Sequence, residues 1–443
     1  MKSKIYFLVI VCITILPKIN IINIPGNDAG IRVEDLLIVV LFIYYLNNIF
    51  IKKKIIIENI IMKKVIKIFA CYILITLISS IFGVFNNYVK PMLALLYFLR
   101  KIEYFLMIFV GYDIIKNNIF DTDKIENFFK FTVIFHFIIS LLQLKGIVGS
   151  FNKGQALGQL TQGRVSSTFN GAYELSAYLL LILPYFLYNI FKNKKYTIKN
   201  FLYIILIAIC IYFSESRTSL IILLVIIALM FSKFERDLRV KLLTINILCL
   251  IGILAIFYSF NINLQDTRFA SVNIKEMAKT TKIAWNTKNF ENYVLTGSWY
   301  GNNNLDLEKE ADASYSTRVH HWMQLIDGVL KSPILGVGAS ISGGSADGNY
   351  IRILAESGIL GIYTWIYMNY IIIKNAKGKI AKNKSMVIVN YALISMLLGS
   401  IFIDVFESSK VMMTMWFLIG ISFATEDKEN NNNINKETRN ERE

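Results

Sequence analysis

Charged residues stand at several places in this sequence where apolar neighbours make them costly. Arg100, Lys101 and Glu103 interrupt LLYFLRKIEYFLMIF, and Arg352 and Glu356 fall inside DGNYIRILAESGILGIYTW. Arg164, Arg217 and Arg318 lie near the edges of other apolar stretches, and Asp347 and Asn349 open the last one. An ionisable group set into such a segment is penalised by a few kcal/mol and marks a pathway for an ion, a proton or a polar substrate. Glu356 lies about 13 Å beyond Asp347 by helix rise. Arg352 and Glu356 are one helical turn apart, as are Arg100 and Glu103. Each pair therefore has an ion-pair reading beside the functional one.

Other patterns carry less chemistry. Cys12, Cys71, Cys210 and Cys249 all fall in apolar blocks without metal spacing and read as small hydrophobes. His320 and His321 are adjacent, so they point to different helix faces and make a poor metal pair; His136 reads as a satisfied core residue. Asp121-Thr122-Asp123 reads as a helix cap. The glycines from Gly336 to Gly348 lack the Gly-Lys-Ser/Thr of a phosphate loop. No metal and no other cofactor is expected.

The elements that must position these residues follow from composition. The chain has 443 residues, with 47 Lys plus Arg against 31 Asp plus Glu, a net charge of +16. Hydrophobic residues make up 55% and charged residues 18%, and the mean hydropathy is +0.50. Soluble proteins carry nearer a quarter charged residues. Here the apolar residues form blocks close to the roughly 20 residues of a bilayer span. That excludes a soluble enzyme, a secreted disulfide scaffold and a disordered chain. A β-barrel is excluded because the blocks do not alternate.

The expected fold class is an all-α polytopic membrane protein with about 12 transmembrane helices and one large external loop. The spans are placed at 5–22, 33–51, 65–85, 92–115, 128–147, 172–191, 199–213, 218–232, 240–260, 349–373, 385–404 and 409–424. Residues 1–260 thus hold helices 1–9, 261–348 the external loop, 349–424 helices 10–12, and 425–443 a disordered cytoplasmic tail. Lys2 and Lys4 precede an apolar run with no cleavage site after it, which reads as an uncleaved first span. The basic segments 51–67, 192–199, 233–241 and 374–384 all fall on one side of this topology, with both termini. That side is the cytoplasm. Anionic lipid accounts for this lysine excess, and no nucleic-acid partner is expected.

Within the loop, RVHHWMQLIDGVL places Arg318, Trp322, Leu325, Ile326 and Val329 on one helical face, closed by Pro333 and Gly336. This predicts an amphipathic helix at the outer membrane surface. On this topology Arg164, Arg217, Arg318 and Asp347 all face outside. Arg100 and Glu356, a little deeper, complete one outward cavity.

These segments resemble, in order, those of the bacterial O-antigen polymerase and O-antigen ligase superfamily. They are GRVSSTFNGAYELSAYLLLILP, SESRTSLIILLV, RVHHWMQLIDGVLKSPILGVG and DGNYIRILAESGILG, across residues 164–361. Ligases of the group show His-Asn at the start of the last motif, where this chain has Asp347-Gly348. That difference turns the resemblance towards the polymerases.

The resemblance implies a membrane (C-type) glycosyltransferase-like fold in the bacterial cytoplasmic membrane. It also implies a reaction on the outer face, in which undecaprenyl-diphosphate-linked oligosaccharide repeat units are joined into a surface polysaccharide. A diphosphate leaving group needs cations more than a proton, and Arg164, Arg217 and Arg318 supply planar forks for it. The acceptor hydroxyl needs a base, with Asp347 first and Glu356 second. Glu174 resembles an acidic position of some members. It joins Arg100, Glu103, Trp322, Asn349 and Tyr350 as a possible substrate-cavity residue, the two aromatics being able to stack on sugar rings or to anchor at the interface. Partners are the lipid-linked oligosaccharides, the bilayer and, left open, a chain-length regulator. The alternatives are a ligase that hands a finished glycan to lipid A-core or another acceptor, and a polysaccharide flippase or transporter.

Overall fold

The computed structural model describes residues 2–17, 20–23, 30–46, 57–150, 164–192, 197–233, 313–341, 347–379 and 383–440. The expected ninth span, 240–260, and most of the 261–348 loop lie outside the described residues.

The first expected span is not one helix. α1 (Lys2–Thr14) stops before Pro17, and Asn20–Asn23 pairs antiparallel with Gly30–Arg32, Asn23 opposite Gly30. Thirteen residues give about 20 Å, short of a hydrocarbon core of about 30 Å. Pro17 cannot donate within a helix. The strand pair then leads into α2 (Val33–Leu46).

Among the described residues, the next apolar runs form helices: α3 (Ile60–Phe85), α4 (Pro91–Lys116), α5 (Thr122–Leu144), α6 (Ala172–Lys192), α7 (Thr197–Phe213) and α8 (Arg217–Ser232). Beyond residue 312 come α9 (Ala313–Lys331), which lies within the expected loop, α10 (Asn349–Lys379), α11 (Lys384–Gly399), a 3-10 turn at Val405–Glu407, and α12 (Ser409–Asn440). Local signals set several starts. Asn59 caps α3 by accepting from the Met62 amide, Pro91 takes the first position of α4, and Asn383 accepts from the Ser385 and Met386 amides.

Among the described residues, three helices are long and apolar enough to cross a membrane: α3, α5 and the Ala172–Ile190 part of α6. α4 has the length, but Arg100, Lys101 and Glu103 sit near its middle. Only 33% of the apolar window of α3 is buried, against 89% for α6. α3 thus turns Leu74, Ile78 and Ile81 outward, while α6 runs through the centre of the bundle. α4 lies along α12 and α3 along α10. The first pair is close because Gly111 faces the Phe417 carbonyl and Gly420 faces the Ile108 carbonyl; a Cβ at either place would overlap the opposing backbone.

The tail differs from its expectation. Residues 425–440 continue α12, and its first turns are tethered. Glu426 accepts from Asn375 Nδ2 at 3.1 Å, and Asp427 accepts from Tyr112 Oη at 2.7 Å and Asn59 Nδ2 at 3.0 Å. A count of apolar residues is blind to such side-chain ties. The same end of the bundle gathers the Lys116–Glu58 pair at 2.8 Å and Glu126, which meets Lys130, Lys384 and Asn189. These are segments the sequence assigns to one side of the membrane.

Candidate functional site

At the opposite end, α10 is broken. Gly358 has φ 66° and ψ −169°, outside any helix. The peptide groups freed by the break are taken up by the segment that follows α9. Val337 N donates to Ala355 O at 2.9 Å and Gly338 N to Glu356 O at 3.0 Å; Ile359 N donates to Pro333 O at 2.9 Å. Ser79 Oγ of α3 also donates to Glu356 O, at 2.5 Å. The PILGVG and ESGILG segments are therefore two halves of one interlock. Each Gly is needed where a Cβ would strike the other half: Gly358 against Ile334 O, Gly336 against the Glu356 carbonyl. Non-helical backbone at such depth is tolerated where protein buries it, and Val337 and Ala339 are fully buried.

The break holds an ion network. Arg352 Nε meets Glu356 Oε1 at 3.0 Å, and Arg352 Nη1 meets Asp404 Oδ2 at 2.7 Å. Lys101 Nζ of α4 meets Glu356 Oε2 at 3.2 Å and Glu407 Oε1 at 2.5 Å. Ser340 N also reaches Glu356 Oε1, at 3.3 Å. Tyr97 lies between two guanidinium groups, Arg352 at 5.5 Å and Arg100 at 5.4 Å. Beside Lys101 and Glu407 is a cavity of about 40 Å³, walled by Phe69, Tyr72, Tyr104 and Trp365. Each water needs roughly 10–15 Å³, so it suits a few waters and not a sugar.

The segment 404–410 ties this network to the rest of the site. Asp404 and Glu407 serve Arg352 and Lys101. Ser409 Oγ accepts from Arg32 Nη1 at 3.2 Å. Lys410 Nζ donates to Thr168 O at 3.0 Å and Oγ1 at 3.1 Å, and lies 4.5 Å from the Phe169 ring centre.

Thr168 and Phe169 belong to the RVSSTF segment, which is pinned from several sides. Gln143 Oε1 accepts from the Ser166 and Ser167 amides, and Gln143 Nε2 donates to Ser167 O. Ser167 takes φ 50°, a left-handed conformation that a non-glycine residue holds only under constraint. His136 supplies part of it. Its Nε2 lies 3.0 Å from Thr14 O, which can only accept, so the proton is on Nε2 and Nδ1 accepts from Ser167 Oγ at 2.9 Å. His136 is thus the satisfied core residue the sequence implied. From this turn Arg164 donates through Nε to Ser214 O at 3.1 Å, and its guanidinium lies 4.3 Å from the Tyr173 ring centre. The structure therefore brings RVSSTF onto the SESR turn. Glu174 sits in the first turn of α6, next to Tyr173. Arg217 opens α8, adding a cation to the positive end of a helix, an arrangement that favours a bound anion.

The mouth of α10 forms the third part. Trp322 Nε1 of α9 donates to the Asp347 carbonyl. Asn349 Oδ1 accepts from Phe406 N at 3.0 Å, and Tyr350 Oη donates to Leu397 O at 3.0 Å. Tyr350 packs edge-on against Trp365 and so anchors locally. His321 is half-buried beside Asp347 and Arg352; burial draws its pKa below the ordinary histidine value, while Asp347 opposes that shift. The helix predicted around Arg318 is present, and Leu325 and Val329 on its apolar face pack with Ala355 and Ile351 of α10. The side chain of Arg318 lies outside the described residues.

The structure gives several of the expected residues partners of their own. Glu356, the second choice of base, is the ion-paired partner of Arg352 and Lys101, held as a carboxylate between two cations. Glu103 is buried, with Asp35, Arg100 and Arg32 as its charged neighbours. Lys101, Asp404, Glu407 and Lys410 had no assigned role. A signal for the last three was present: D-x-x-E-x-x-K between two apolar blocks is as costly as the charges in α4. Among the described residues, no three His, Cys, Asp or Glu are placed to hold a metal.

Residues 202–366 match the family model described as O-Antigen ligase. The match spans the SESR turn, α9, the Gly-rich interlock and the ion-paired half of α10. It supports the O-antigen polymerase and ligase superfamily for this chain. No curated protein matches the sequence.

Proposed function

We propose, for a chain of the O-antigen polymerase and ligase superfamily, that it joins undecaprenyl-diphosphate-linked oligosaccharide repeat units into a surface polysaccharide at the outer face of the cytoplasmic membrane. The observation that carries this reading is the grouping at one end of the bundle. The RVSSTF and SESR segments meet through Arg164 and Ser214, PILGVG and ESGILG meet across the break in α10, and 404–410 touches both groups. In this reading Arg164, Arg217 and Arg318 stabilise the diphosphate leaving group, and Asp347 takes the proton from the acceptor hydroxyl. Glu356 positions Lys101 and Arg352 and does not itself act as base. Arg100 and Glu103 shape the floor of the cavity and Glu174 its α6 rim; Trp322 holds Asp347 in place. Twelve spans, cytoplasmic termini and a C-type glycosyltransferase architecture belong to the same proposal.

The ligase stands as second reading because the family description itself names that activity. A glycan ladder from a deletion strain separates the two. Collapse to single repeat units identifies the polymerase, and long chains stranded on the carrier lipid identify the ligase. An unchanged ladder removes both and returns the flippase or transporter, whose broken helices α10 shares. Arg217→Ala and Arg318→Ala are expected to abolish long chains while the protein still reaches the membrane. Normal chain length in both would refute the arginine assignment.

A further inference from the structure

Among the described residues, two buried donors at the mouth of α10 have no hydrogen-bond partner. Arg352 is fully buried, with Nε on Glu356 and Nη1 on Asp404, yet Nη2 bonds to nothing. Asn349 is also fully buried; Oδ1 accepts from Phe406 N, and Nδ2 bonds to nothing. The two residues are one turn apart and therefore share a helix face. A buried donor left unmade costs about 1–3 kcal/mol, and here two coincide beside the proposed base.

The charge around them says what kind of acceptor fits. Two cations, Arg352 and Lys101, face three carboxylates, Glu356, Asp404 and Glu407. Arg352 is already matched on two sides, and the cluster has no positive excess to offer a diphosphate. A diphosphate brought here would meet three carboxylates in a setting where water does not screen them. A neutral hydroxyl group meets no such penalty. Its oxygen accepts from Asn349 Nδ2 or Arg352 Nη2, and its proton goes to an acceptor at the same mouth, where Asp347 and His321 stand part-exposed. The arginines at the RVSSTF and SESR segments have the opposite character, with Arg217 at a positive helix end.

We infer that Asn349 and Arg352 form a subsite for the hydroxyl groups of a neutral sugar ring, the acceptor end of the reaction, separate from the arginines that hold the diphosphate. This rests on the glycan-transfer reading above and divides its site in two. Arg352 binds the ring with Nη2 while Glu356 and Asp404 fix its plane. Asn349 reads a second oxygen one turn above.

The test uses the full chain in lipid nanodiscs and two probes: the free repeat-unit oligosaccharide released from the polysaccharide, and undecaprenyl diphosphate. Asn349→Asp keeps the acceptor for Phe406 N and replaces the unpartnered donor with a charged carboxylate oxygen. It is expected to weaken oligosaccharide binding about tenfold, one hydrogen bond at a buried site, and to leave the carrier lipid within about twofold. Asn349→Ser, which adds no charge, should behave alike, and Arg217→Ala should show the reverse pattern. Loss of carrier-lipid binding with oligosaccharide binding intact would make this a diphosphate site and overturn the inference. So would unchanged binding of both probes by the two Asn349 variants, which would assign the donors to buried water. If the unaltered protein binds neither probe, the glycan-transfer reading itself fails, a different result from either.

Discussion

The two ends of the bundle treat charge in opposite ways. At the end with the tethered tail, each ion pair keeps at least one partner in or near water: Glu58 is 50% exposed and Lys116 31%, and Glu126, itself 10% exposed, meets Lys384 at 32% and Lys130 at 27%. At the end with the broken helix they are buried, Arg352 at 0%, Glu356 at 1% and Lys101 at 8%. A solvated pair contributes about 0–1 kcal/mol and is easily exchanged. A buried pair must first offset several kcal/mol of desolvation per ion, and packed apolar side chains often serve stability as well or better. The first kind fastens helix ends together. The second makes little sense as a fastener, least of all in a chain with apolar residues to spare, and that is the physical argument for locating the chemistry there.

The largest expected effect comes from removing one member of the buried network. Arg352→Met leaves Glu356, Asp404 and Glu407 with Lys101 as their only cation among the described pairs, and should cost about 3–5 kcal/mol. Thermal unfolding of the purified protein in detergent measures it. Adding Glu356→Leu to Arg352→Met should recover part of the stability and none of the long-chain product. Recovery of both would mean that the network only fastens the fold, and the contrast between the two ends would collapse.

Gly358→Ala comes next. The alanine must hold φ 66° and ψ −169°, a region open essentially to glycine, and its Cβ would overlap the Ile334 carbonyl. The strain is about 1–3 kcal/mol before the overlap is counted. It should appear as a lower melting temperature and as faster protease cleavage within 332–341. A variant as stable as the native chain would show that the interlock is not held by its backbone geometry.

Part of this was readable in the residues. The Arg352–Glu356 pair follows from one helical turn, and the helix around Trp322 from its apolar spacing. What stayed hidden depends on distant partners. Nothing local says that Lys101 and not Arg100 faces Glu356, because that requires knowing how α4 is rotated against α10. Glycines in PILGVG and ESGILG read as flexible backbone, although their use is to let two remote segments share peptide hydrogen bonds. The strand pair after Pro17 and the helical tail were missed for a related reason: both are settled by pairing, which hydropathy does not measure.

A smaller effect is expected at the other end. Glu126→Gln still accepts from Asn189 Nδ2 and loses its pairing with Lys130 and Lys384. The cost should be about 1 kcal/mol, with the glycan ladder unchanged. A shortened ladder would show that this end takes part in the chemistry and would blur the comparison.

The smallest effect is the most direct test of solvated pairing. The Lys116 hydrogen bond holds the Glu58 carboxyl below its ordinary range. A carboxyl whose folded pKa is depressed stabilises the protein above its unfolded value of about 4.3 and loses that contribution as pH falls through the folded one. With Glu58 half exposed, the contribution should be no more than about 1 kcal/mol. The melting temperatures of native protein and Glu58→Gln should therefore differ slightly at pH 7 and converge as the pH drops below about 4. High salt at pH 7 should bring them together as well, since exposed charges are screened over about 3 Å at 1 M. A gap that survives both acid and salt would place this pair with the buried network, and burial would no longer distinguish the two ends.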